Sequence, residues 1–143
     1  MPFVKAFLGG FVATLVCHQG VYTLFYVAGA ALPAPPYNMT ATAPLGIPAV
    51  ISLAFWGGIW GVPIWWMLRN ARGTGYWLRA LTLGALLPSA VALFIVFPMK
   101  GHAFAGGWNP QVIIGALILN GAWGLGLAAF MRLTHRPLET QAG

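Results

Sequence analysis

Polar positions in this chain are few and bunched, and four long apolar runs lie between them. The runs cover roughly residues 4–31, 49–68, 80–97 and 111–131. None alternates apolar and polar residues with the period of two that a half-buried strand requires. A membrane-spanning barrel would need about eight or more such strands. As a helix, about 20 apolar residues cross the ~30 Å hydrocarbon core of a bilayer. The second, third and fourth runs fit that length, whereas the first is long enough to tilt or project beyond the core. The pattern predicts an all-α membrane protein, a single transmembrane domain over residues 1–143 with four helices in one bundle.

Proline and glycine mark the limits of the runs. Leu32–Pro48 carries Pro33, Pro35, Pro36, Pro44 and Pro48 and cannot form one helix. It holds no charged residue, which suits a compact cap over the bundle. Gly73 and Gly75 break the link between the second and third spans. Asn109-Pro110 reads as an N-cap followed by proline in the first helical turn. Pro63 and Pro88 lie inside spans and deprive the carbonyls of Ile59 and Gly84 of a helical partner, so both helices are expected to kink. Such kinks more often shape packing than coordinate an ion. Ala28-Gly29-Ala30 resembles a signal-peptidase site, but the preceding apolar stretch exceeds the usual ~7–15 residues and is interrupted by Cys17-His18-Gln19-Gly20. The first run is therefore expected to remain as a span.

Composition strengthens the membrane assignment. Hydrophobic residues make up 59% and charged residues 6% of the 143 positions. Soluble domains carry about 25% charged residues, and disordered chains are far less apolar. A lone cysteine, Cys17, excludes an intrachain disulfide. Lys5, Arg69, Arg72, Arg79, Lys100, Arg132 and Arg136 face a single acid, Glu139. These cations fall between apolar runs rather than on one basic element, so nucleic acid is not the expected partner. With a cytoplasmic N-terminus, every cation except Lys100 falls on the cytoplasmic side. The positive-inside rule then places both termini in the cytoplasm. Trp65, Trp66 and Trp77 would mark the inner interface and Trp108 the outer one.

The chemistry of interest lies in the middle of the spans. His18 shares a helical face with Thr14 and Tyr22, and Ser89 and Asn120 are central in the third and fourth spans. A polar stripe on a membrane helix is expected to face protein or water, and an intramembrane ionisable group is a functional candidate. His18, Thr14, Tyr22, Ser89 and Asn120 form the candidate midplane site. The plainer account is that His18 bonds to Tyr22, Ser89 or Asn120 and only holds helices in register. Gly57, Gly58, Gly61, Gly121 and Gly124 are the candidate helix-packing residues, either within one bundle or between subunits. Gly58-Ile59-Trp60-Gly61 matches Gly121-Ala122-Trp123-Gly124, with Arg69 and Arg132 following at equal distance. Coincidence is the favoured account, because glycine and tryptophan abound and the first and third spans do not match convincingly. A true duplication would imply pseudo-twofold pairing about the membrane normal.

Enzyme chemistry lacks its parts. The chain has no aspartate, no phosphate loop and no dinucleotide fingerprint, so no carboxylate pair or Ser-His-Asp triad is available. Only His18 lies within a span, which disfavours a bis-histidine haem; Met99 with His102, and Cys17 with His18, lack copper-site spacing. Structural zinc would need about four Cys or His ligands, and one cysteine with three scattered histidines does not supply them. No cofactor and no metal are expected. Lys100-Gly101-His102 reads as a solvated loop ahead of an anion site.

Cys17-His18-Gln19-Gly20, Tyr37-Asn38-Met39-Thr40, Gly46-Ile47-Pro48-Ala49-Val50 and Ser52–Gly58 resemble the corresponding stretches of an uncharacterised family of small four-span bacterial integral membrane proteins. That resemblance covers the first half of the chain and implies a bacterial inner membrane and a four-helix form. It assigns no site residue. The expected function is a homo-oligomeric channel or transport protein working through the midplane site. Its partners would be membrane lipid and further copies of itself. The alternatives are an accessory subunit of a larger membrane complex and a cofactor-binding protein using His18.

Overall fold

The computed structural model describes residues 1–135. Arg136 and Glu139, which entered the charge balance, lie outside the described residues. Four helices run up and down in sequence: α1 Pro2–Val27, α2 Ala49–Leu68, α3 Gly73–Met99 and α4 Pro110–Leu133. Each is long and apolar enough to cross a membrane. The principal packing is α1 on α2, α3 on α4, and α1 on α4. The end holding residue 1 and the α2–α3 turn is here the proximal end, and the opposite one the distal end.

Two boundaries differ from the apolar pattern. α1 stops at Val27 rather than at residue 31, because Gly29 turns the chain with φ +81°. α3 starts at Gly73 rather than at residue 80, directly after an extended Arg72. Gly73 takes φ +55°, so this glycine opens a helix instead of merely breaking a link. Thr74, Tyr76 and Arg79 hide the first two turns of α3 from a hydrophobicity pattern. Asn109 caps α4 as expected: its Oδ1 accepts from the Gln111 N–H at 2.9 Å.

The proline-rich segment folds as a short ribbon, with β1 Ala41–Thr42 antiparallel to β2 Ile47–Pro48. Backbone carbonyls of Thr40 and Asn38 accept from the N–H groups of Ala49 and Val50, both at 2.9 Å. Two donors left unpaired at the α2 N-terminus are thereby satisfied. Both α1 and α3 widen into a π turn, at Thr14–His18 and at Ala92–Val96. Pro88 and Pro98, which lack a backbone donor, flank the second π turn.

Glycine sets how closely the helices approach. A methyl group on Gly61 would strike the Ala6 carbonyl and sit 3.2 Å from Gly10 Cα. On Gly124 it would strike the Ala80 carbonyl and sit 3.0 Å from Gly84 Cα. Gly58 lies under the Phe7 ring as Gly121 lies under Leu81. Lys5-Ala6-Phe7 with Gly10 thus corresponds to Arg79-Ala80-Leu81 with Gly84. The α1–α2 and α3–α4 hairpins repeat one contact pattern, including the first and third helices, where the sequence match is slight. The two hairpins point the same way, so a twofold along the helices relates them approximately. The symmetry is imperfect: α1 packs closely on α4, whereas α2 meets α3 only lightly. A core of Ala13, Ile64, Leu68, Tyr76, Ala80, Trp123, Leu127 and Ala128 fills the proximal half.

Candidate functional site

The π turn of α1 organises the site. Bonds in a π turn reach one residue further than in an α-helix, which changes which backbone groups remain available to outside partners. The Gly10 carbonyl, which keeps its helical bond from the Thr14 backbone N–H, also accepts from Thr14 Oγ1 at 3.0 Å and from Trp123 Nε1 at 2.9 Å. The Leu15 carbonyl accepts from the Tyr37 hydroxyl at 2.7 Å. Tyr37 belongs to the segment between α1 and α2, and its backbone N–H donates to Gln19 Oε1 at 2.8 Å. Its φ of +52° is a left-handed conformation that tyrosine seldom adopts. A third bond runs from the Tyr22 hydroxyl to the Ala34 carbonyl at 2.8 Å. These three bonds latch the inter-helix segment onto the distal half of α1.

His18 sits at the end of this π turn, beside Gln19 and between the two tyrosine contacts. Its Nδ1 is buried and has no hydrogen-bond partner among the described residues. Ser89 and Asn120 meet directly across α3 and α4, Asn120 Nδ2 donating to Ser89 Oγ at 2.9 Å. Thr14 bonds back to its own helix and shares its acceptor with Trp123. Tyr22 bonds to the latched segment. Four of the five expected site residues therefore join partners in three places, His18 Nδ1 joins none, and Ser89–Asn120 is the one direct side-chain bond between them among the described residues.

The sequence pattern did not single out Gln19, Tyr37 or Trp123 as site residues. Gln19 and Trp123 carried a usable signal, since a buried amide or indole N–H requires a partner. Tyr37 carried none, because a segment without periodicity does not announce what it covers. The five glycines named as packing residues each face a helix of this same chain: Gly57 meets Thr14 and Gly10, and the other four make the contacts described above.

Most of the cations lie at the proximal end, with aromatic rings beside them. The Arg132 guanidinium lies 4.3 Å from the Tyr76 ring centre and 5.4 Å from that of Trp77. Arg69 lies 4.5 Å from the Trp66 ring centre. Phe3 meets Trp65 edge-on at 5.5 Å. Lys5 Nζ donates to the Thr134 carbonyl at 3.0 Å. At the distal end, Trp108 packs near Phe94 and Phe104, each at 6.2 Å. Among the described residues, no three His, Cys, Asp or Glu side chains gather to hold a metal ion. No protein-family model, curated protein or solved structure matches the chain.

Proposed function

We propose that this chain is a small polytopic transport protein of the bacterial inner membrane, working as a homo-oligomer with both termini in the cytoplasm. The four long apolar helices support a membrane location, and the distribution of the cations supports the orientation. His18 is the group that accepts a proton or a polar solute. The observation that carries this reading is the buried, unpartnered Nδ1 at a π turn beneath a hydrogen-bonded segment. An unsatisfied buried polar atom costs about 1–3 kcal/mol, and a transient ligand would offset that cost. π turns recur at functional sites. The segment around Tyr37 forms the outer closure, released when its bonds to Leu15, Gln19 and Tyr22 part. Backbone contact at Gly10, Gly57 and Gly61 closes the α1–α2 seam.

The test is proton flux into liposomes carrying the purified protein and an entrapped pH dye. Flux above that of empty liposomes, reduced at least about tenfold in His18→Ala with oligomer size unchanged, supports the reading. Absence of flux, or equal flux in the variant, overturns it.

A further inference from the structure

A cleft of about 560 Å³ opens at the proximal end where all four helices converge. Lys5 of α1, Arg69 directly after α2, Arg132 of α4 and His135 line it, together with Trp65 and Tyr76. The three cations lie far apart in sequence and are gathered by the fold. We propose that this cleft binds the phosphate headgroup of an anionic phospholipid. The proposal rests on membrane insertion and is independent of the role given to His18.

The cationic groups are held in place before any ligand arrives. Tyr76 is 6% exposed, and its hydroxyl donates to the Ala128 carbonyl at 2.9 Å, which fixes the ring. The Arg132 guanidinium rests over that ring. Stacking occupies the face of a guanidinium and leaves donors on its edge, the geometry that grips two oxygens of one phosphate. The Arg69 guanidinium lies 4.5 Å from the centre of the more exposed Trp66 ring. Lys5 spends one donor on the Thr134 carbonyl and keeps two. No carboxylate occurs among the described residues, since the one acid in the sequence is Glu139. The surrounding tryptophans place the cleft at headgroup depth, and basic pockets between spans at the cytoplasmic face suit anionic headgroups. A soluble phosphate offers the same oxygens but no acyl chains, and the experiment separates the two.

The full chain in detergent is titrated with phosphatidylglycerol and with phosphatidylcholine of equal acyl length, and bound lipid is counted by native mass spectrometry. Phosphatidylglycerol is expected to bind at least about tenfold more tightly. Lys5→Gln and Arg132→Gln are each expected to weaken it about fivefold. Arg132→Lys, which keeps charge and loses the fork, is expected to fall between. Lys100→Gln at the distal end is expected to leave binding unchanged, and helicity by circular dichroism checks the fold of each variant. Equal binding of the two lipids overturns the proposal. So does undiminished phosphatidylglycerol binding in a folded protein lacking Lys5, Arg69 and Arg132 together. Displacement of the lipid by millimolar inorganic phosphate would instead make this a free-anion site. Binding seen only in Glu139→Gln would mean that the chain's own acid is the occupant.

Discussion

At the scale of single residues, the cost of burying polar atoms separates the five midplane candidates. Ser89 is 1% exposed and receives the Asn120 amide, so neither group can be removed without orphaning the other. Ser89→Ala and Asn120→Leu are each expected to destabilise the bundle by about 1 kcal/mol in detergent unfolding titrations. The double variant should lose less than the sum, with a coupling of about 0.6 kcal/mol. Full additivity would show that the bond contributes nothing. This pair was legible in the sequence as polar residues at mid-span. The back-bond of Thr14 to Gly10 is the usual one for a helical threonine, but the bond from Trp123 to the same carbonyl was not legible, because it joins two distant helices.

At the scale of elements, backbone contact decides which glycines matter. Gly61→Ala and Gly124→Ala would each drive a methyl into a neighbouring carbonyl, and the two collisions are equivalent. Both are expected to cost about 1–3 kcal/mol and to lower the melting temperature similarly. Gly115 has no neighbour within 4 Å, so Gly115→Ala is expected to be neutral or to stabilise by up to about 1 kcal/mol through helix propensity. Equal tolerance at all three positions would refute the close-approach account. The four apolar helices could be read directly from the sequence, because length and composition determine them. The start of α3 could not, because Thr74, Tyr76 and Arg79 interrupt the apolar run over its first turns. The correspondence of α1 with α3 was equally hidden, since it rests on an alanine and a glycine four residues apart.

At the scale of the whole molecule, the segment between α1 and α2 is the part held by polar bonds rather than by apolar packing. Tyr37→Phe removes the hydroxyl bond to Leu15 while keeping the ring. It is expected to speed amide hydrogen exchange across residues 32–48 and at Leu15–Gly20, about fivefold or more, without changing α3. Unchanged exchange there would mean that the hydroxyl does not secure the closure. The sequence indicated a cap from its prolines and its lack of charge. What the cap grips emerged only with the fold, because the acceptors are backbone atoms on another element.

That choice of acceptors has a consequence for how the protein tolerates change. Two of the three bonds end on main-chain oxygen, at Leu15 and Ala34, which every amino acid supplies. Positions 15 and 34 can therefore drift in identity without loosening the closure. The strength of the three bonds to α1 is tuned from Gln19, Tyr22 and Tyr37, side chains that could be adjusted while the greasy scaffold beneath them stays untouched.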